Sequence, residues 1–218
     1  MQATPRTLSS PALEAQDFHS GSSYARGAQH PPLIEQTLGA FMDGMVARHG
    51  AAEALVCVHQ GLRYTYAQLQ QAARQLASAL LRQGLQPGDR VGIWSHNNAE
   101  WVLLQLATAE VGLVLVNINP AYRTSELEYA LNKVGCKALV SMRAFKTSRY
   151  LEMVRELAPE LATCPAGRLA ARRLPLLRLV CWIDVAGQGD DEAGMLRFSD
   201  LFAPVSYTHL TLPTTPYV

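Results

Sequence analysis

The sequence predicts an α/β fold in which a mostly parallel sheet is doubly wound, and three observations predict it. Four short runs, "RVGIWS", "LVLVNI", "KALVSM" and "LLRLVCWID", are apolar on both faces, as strands buried in the middle layer of a sandwich must be. Between them lie amphipathic stretches of about ten to fifteen residues, the length of crossover helices. Finally, 49% hydrophobic against 17% charged residues is enough apolar surface to drive folding, which argues against disorder.

The elements follow in order. Residues 1–30 are rich in Ser, Ala, Gly and Pro without periodicity and read as a loosely ordered arm. From Pro32, Leu33, Ile34, Leu38, Phe41, Met42, Met45 and Val46 recur at helical spacing, and Gly50 is expected to end the helix in the left-handed conformation. "ALVCVHQGLRYTY" reads as two strands about a Gln60-Gly61 turn.

Thr65 and Gln68 form the S/T-x-x-E/Q capping box, and Leu69, Ala73, Leu76 and Leu80 stripe the helix that follows. Gly84 stops that helix and "QPGD" turns the chain into the first sheet strand. Then come "RVGIWS", helix "AEWVLLQLATAEVG", "LVLVNI", helix "SELEYALNKVG", "KALVSM", helix "SRYLEMVRELA" and "LLRLVCWID". Right-handed crossovers put helices on both faces of such a sheet.

Composition excludes several function classes. A net charge of +1 and a pI near 7.7 give no overall pull toward nucleic acid or anionic membrane. The basic run "GRLAARRLPLLR", Gly167 to Arg178, reads as a solvated connector rather than a phosphate-binding patch. Cys57, Cys136, Cys164 and Cys181 show no C-x-x-C and no zinc-ligand spacing; three lie in apolar runs, where a thiol acts as a small hydrophobe. No secretory h-region opens the chain, and Trp101 to Val116, interrupted by Gln105, Thr108 and Glu110, falls short of a membrane span. The expectation is a soluble protein of a reducing compartment.

In a doubly wound sheet, ligands bind beyond the carboxyl ends of the strands, which singles out "SHNN", "NINPAYR" and "MRAFKTS". Asn97 or Asn98 is expected to cap a helix, with His96 as a surface turn residue, although a ligand contact at that helix N-terminus is the alternative. Asn119-Pro120 breaks a strand, Tyr122 packs back on the sheet, and Arg123 is placed to meet a phosphate, but the string reads first as a structural turn. Arg143 and Lys146 read as solvated rather than catalytic. There is no G-x-x-x-x-G-K-[ST], G-x-G-x-x-G or G-x-S-x-G motif.

Together, "LRYTYAQL", "LQPGDRVGIWSHNNAEWVLLQLATAEVGLVLVNINPAYR", "ELEYALNKVGCKALV" and "FKTSRYLEMVRELAPEL" resemble the N-terminal part of the adenylate-forming enzymes, most of all medium-chain fatty-acid acyl-CoA synthetases. The likeness runs from about Ser22 to about Ala203 and includes a loose match of "GMLRFSDLF". It implies an incomplete N-terminal lobe of that fold, from an enzyme using ATP, Mg2+ and CoA to convert a fatty acid through an acyl-adenylate into a thioester. The catalytic loop, metal carboxylate, ribose Asp and C-terminal Lys of such enzymes find no counterpart here. The resemblance carries over only scaffold: Thr65 as helix cap, Tyr66 and Leu69 as core anchors, Gly112 as a close-packing glycine and Asn119-Pro120 as a strand stop. No residue is assigned a catalytic, cofactor-binding or metal-binding role, and no cofactor is expected to bind this chain tightly.

The expected organisation is an arm over residues 1–30, the N-terminal part of an AMP-binding domain over 31–203, and a non-native tail over 204–218. Residues 205–218 hold four threonines and no Asp, Glu, Lys or Arg. One permitted back-translation of Val205 to Thr215 resembles the end of a transposon-based sequencing adapter, so Tyr207 and His209 are given no function. The chain alone is expected to be inactive and the parent cytoplasmic, or mitochondrial if residues 1–30 are a transit peptide. Fatty acid, ATP and CoA are the implied partners, with room for a peripheral membrane contact and none for nucleic acid. Two other readings stay open: a non-catalytic binding module, and a ligase for an aryl or amino acid.

Overall fold

The computed structural model describes residues 33–184 and 191–202. The 1–30 arm and the 204–218 tail lie outside the described residues. The compact unit begins at Gln36.

Helix α1 (Leu38–His49) starts later than its apolar periodicity suggests, because the Thr37 hydroxyl accepts the Ala40 N–H at 3.2 Å and fixes the first turn there. Leu33 and Ile34 are exposed and not helical, which corrects the expected start. Gly50 is right-handed (φ −51°, ψ −36°), not left-handed. Its carbonyl accepts from Ala67 N–H at 3.1 Å and that of His49 from Ala52 N–H at 2.8 Å, so the helix ends by running into a turn.

Strands β1 (Glu53–Cys57) and β2 (Leu62–Thr65) form the expected antiparallel hairpin, with Gly61 left-handed at its tip. Thr65 and Gln68 close the capping box of α2 (Tyr66–Arg82) reciprocally: Gln68 N–H to Thr65 Oγ1 at 3.3 Å, Thr65 N–H to Gln68 Oε1 at 2.9 Å. Gly84, at φ 87°, ends the helical path.

Next come β3 (Arg90–Trp94), α3 (Ala99–Glu110), β4 (Val114–Asn117), α4 (Thr124–Val134), β5 (Cys136–Met142), α5 (Tyr150–Leu157), β6 (Leu179–Ile183) and β7 (Leu196–Arg197). The five strands β3 to β7 form one sheet in the order β4-β3-β5-β6-β7, with every pairing parallel. The two-residue β7 has no sequence signature of its own.

Period-two alternation divides the core into two layers. Val91, Ile93, Ala138, Val140, Leu179 and Cys181 face α2 and α3, joining Leu76, Leu80, Leu104 and Ala107. Trp94, Leu139, Val180 and Trp182 face the other way, onto Leu127 and Leu131 of α4 and Tyr150, Val154 and Leu157 of α5. Both faces are therefore covered, as the doubly wound expectation requires.

Two glycines fit this packing differently. A Cβ on Gly92, in the middle of β3, would lie 2.9 Å from Ile118 Cδ1 and 3.3 Å from Leu139 Cδ1, so the second layer closes directly over it. Gly112, read from the sequence as the close-packing glycine, is needed for its conformation: φ is 69° and its carbonyl accepts the Gly88 N–H at 2.7 Å.

Burial raises the Cys181 thiol to about 12 and the Cys136 thiol to about 11, as fits sulfurs packed as small hydrophobes.

Candidate functional site

The chain runs from β3 outward to β4, then returns across β3 to β5, so winding reverses between β3 and β5. Ligands of open α/β sheets bind beyond the carboxyl ends of strands at such a reversal. The residues that follow β3, β4 and β5 therefore define the candidate site.

After β3, the Ser95 hydroxyl donates to the His96 carbonyl at 2.8 Å and accepts from Asn98 Nδ2 at 2.8 Å. Asn98 Oδ1 in turn accepts the Trp101 N–H at 2.9 Å, which makes Asn98 the cap of α3. Gln60, from the distant hairpin, supplies a second cap: its Oε1 accepts the Ala99 N–H at 2.8 Å and the Cys57 thiol at 2.8 Å. Its Nε2 donates to both oxygens of Glu100, at 3.0 and 2.8 Å. Two of the free N–H groups of this helix end are thus spent on protein partners.

His96 departs from the expected surface turn residue. It is half-buried, stacked on Phe145 (centroids 4.8 Å, 25° between planes) and 5.8 Å from the His59 ring, and its Nδ1 is buried without a hydrogen-bond partner. Desolvation depresses its pKa below 6.5, His59 adds to the effect, and Glu100 opposes it.

After β4, the turn is structural. Asn119 Oδ1 accepts the Ala121 N–H at 2.9 Å, the Asn119 carbonyl accepts Trp94 Nε1–H at 3.0 Å, and Pro120 accepts the Tyr150 hydroxyl at 2.7 Å. Tyr122 packs against the second core layer as expected. Arg123 is exposed at the start of α4, with its backbone N–H donating to Glu126 Oε2 at 3.0 Å.

After β5, Phe145 and Ser148 exchange backbone hydrogen bonds at 2.9 Å around Lys146, which sits at φ 53° and is exposed. Its ammonium lies 5.4 Å from the Phe145 centroid. Arg143, expected to be solvated, is instead held. Its guanidinium lies 4.2 Å above the buried Trp182 ring and pairs with Glu192 at 2.5 Å, a carboxylate that also binds Arg155. Arg197 approaches the same indole, at 5.2 Å.

The structure thus brings His96, Asn98, Phe145 and Lys146 to one end of the sheet, with Arg123 at the start of the helix that follows β4. Sequence reasoning missed Gln60, Tyr150 and Glu192, because each acts on residues far along the chain and no local motif marks it. The Cys57 thiol lies 3.5 Å from His59 Nδ1 beside this site, but it is buried and donates to Gln60, and among the described residues no group of three His, Cys, Asp or Glu side chains could hold a metal. What remains is a buttressed end of the sheet with the exposed cations Arg123 and Lys146 beside it.

A model of the family described as AMP-binding enzyme matches residues 43–175. The chain is 44% identical over 195 residues to the mitochondrial medium-chain acyl-CoA ligase of Mus musculus, covering 84% of this chain and 32% of that protein. To the Danio rerio ligase of the same name it is 38% identical over 188 residues, 86% and 30% of the two chains. Among solved structures, acetoacetyl-CoA synthetase from Streptomyces lividans superposes with a TM-score of 0.63 at 24% identity, over 78% of this chain and 25% of that one. An anthranilate CoA ligase in complex with anthranoyl-AMP superposes at 0.61 with 22% identity, over 75% and 27%. At that identity the structures share the fold. The chain spans about a quarter to a third of the length of the curated relatives it matches.

Proposed function

The chain belongs to the AMP-binding enzymes, and from that premise we propose that it is the N-terminal lobe of an ATP-dependent acyl-CoA synthetase acting on medium-chain fatty acids. The observation that carries this is the 44% identity over 195 residues to a medium-chain acyl-CoA ligase. That likeness extends across both core layers and the candidate site, and it favours an acyl acid over an aryl or amino acid.

In the parent, ATP and CoA are substrates and the acid is activated as its adenylate before the thiol takes it. The lobe's part is to hold the carboxyl end of the sheet rigid, through the Trp94–Tyr150–Pro120 clasp and the Gln60 cap, so that a ligand meets a fixed edge. Mg2+ belongs to this proposal as the ion that accompanies ATP in the parent, held by one or two carboxylates and the substrate phosphates; among the described residues no group of three His, Cys, Asp or Glu side chains is assembled for it. The same relatives are named mitochondrial, which supports the organellar alternative over a cytoplasmic parent.

The test is ATP–pyrophosphate exchange with octanoate. The 218-residue chain is expected to show none, while the chain extended with the source coding sequence beyond Phe202 is expected to exchange and to form octanoyl-CoA. Exchange by the 218-residue chain would overturn the assigned inactivity. An extended protein that activates an aryl or amino acid but no straight-chain acid would overturn the substrate class.

A further inference from the structure

The edge of the sheet opposite the candidate site collects cations that the sequence scatters. Arg90 opens β3 and is the register partner of Cys136 at the start of β5. The Arg178 N–H donates to the Lys137 carbonyl at 2.8 Å, which carries the edge one strand further, and the Arg178 carbonyl accepts the Leu169 N–H at 3.0 Å, bringing Arg168 alongside. A Cβ on Gly135 would lie 3.2 Å from Leu176 Cδ1, so Leu176 sits against the end of α4, whose last turn carries Lys133. Asn132 of the same helix donates to the Arg173 carbonyl at 2.9 Å and draws in Arg172.

Arg90, Lys133, Arg168, Arg172 and Arg178 are exposed, and none forms an ion pair among the described residues. Two of the neighbouring carboxylates are ion-paired, Asp89 with Lys137 at 2.7 Å and Glu128 with Arg173 Nε and Nη2 at 2.9 and 2.6 Å, while Glu160 accepts the Arg172 backbone N–H at 3.1 Å. From Leu161 to Ile183 the chain has no acidic residue. In a protein with a net charge of +1 this is a strong local excess. Amid it, Leu176 is 51% exposed next to exposed Pro175.

The geometry points to a docking surface for an anionic phospholipid bilayer, with the arginines on headgroup phosphates and Leu176 at the acyl boundary. Cations around an apolar tip suit that interface: headgroups take the charge and hydrocarbon takes the leucine. A nucleic acid backbone would satisfy the arginines and leave Leu176 without a partner. Docking by this edge leaves the carboxyl ends of the strands facing away from the bilayer, so the surface is independent of the adenylating role and is tested apart from it.

The experiment is cosedimentation of the full chain with vesicles of phosphatidylglycerol and phosphatidylcholine in equal parts, with pure phosphatidylcholine vesicles and single-stranded RNA as comparisons. Binding to the anionic vesicles, weakening as salt is raised, is expected, with none to phosphatidylcholine. Arg168→Gln/Arg178→Gln should weaken it about 25-fold, at roughly five-fold per charge near an anionic surface. Arg48→Gln/Arg63→Gln has the same net charge and should leave binding unchanged. Leu176→Ser should weaken vesicle binding several-fold with no change in circular dichroism. Absence of binding at low salt, equal losses in the two double variants, no effect of Leu176→Ser, or tighter binding to the RNA would each overturn the proposal.

Discussion

The ring of Tyr150 stacks on the indole of Trp94, with centroids 4.0 Å apart and 26° between planes, and its hydroxyl reaches past that ring to the Pro120 carbonyl at 2.7 Å. One side chain of α5 thereby ties the end of β3 to the turn after β4. Tyr150→Phe keeps the stack and removes the hydrogen bond, leaving a carbonyl short of its donor. The expected loss is about 1–2 kcal/mol in urea unfolding with an unchanged m-value. Tyr150→Leu removes both and should cost more. Equal losses in the two variants would show that the hydroxyl carries the whole contribution.

Thr65→Ala removes the acceptor for the Gln68 N–H and should destabilise the chain by about 1 kcal/mol. Gln68→Ala frees the Thr65 N–H in the same way. Because the two bonds close one ring, the double variant should lose less than the sum of the singles, and an additive double-mutant cycle would contradict reciprocal capping.

This box was legible in the sequence because its partners are three residues apart, inside the reach of a local motif. The same holds for the Asn98 cap, the Asn119 turn and the alternation of buried strands with crossover helices. What stayed hidden is what folding brings together. His96 reads as a surface turn until Phe145 and His59 arrive from other elements. Arg143 reads as solvated until Glu192 and Trp182 enclose it. Gly50 reads as a left-handed cap because nothing local shows that its carbonyl is claimed by Ala67. The basic run from Gly167 reads as a connector until Arg90 and Lys133 join it at the edge of the sheet.

Gly92 tests the close approach of β3 to the second core layer. An alanine there would push its methyl to 2.9 Å from Ile118 Cδ1 and 3.3 Å from Leu139 Cδ1, and the second contact leaves little room for the first to yield. Gly92→Ala should cost about 1–3 kcal/mol. Ile118→Val, which deletes the nearer methyl, should recover part of that loss in the Gly92→Ala background while destabilising the parent chain. A Gly92→Ala chain as stable as the parent would refute the close packing.

His96 sets a pH dependence whose direction follows from its surroundings. Phe145 covers one face of the ring, His59 approaches it, and Glu100 in the first turn of α3 is the carboxylate that opposes them. Desolvation is the largest influence, so the folded chain binds the His96 proton more weakly than the unfolded chain does. Below the ordinary histidine range of about 6.5 the unfolded state therefore takes up more protons, and stability must fall with pH. The fall begins as the unfolded histidine titrates and levels off once His96 is protonated in the folded chain as well. His96→Asn removes the group and should flatten this part of the profile, whatever it does to stability at neutral pH. Urea midpoints of the two chains between about pH 7 and pH 5 measure the difference. If the parent profile is level across that window, or the variant falls just as steeply, the stacked histidine is not what the acid form strains.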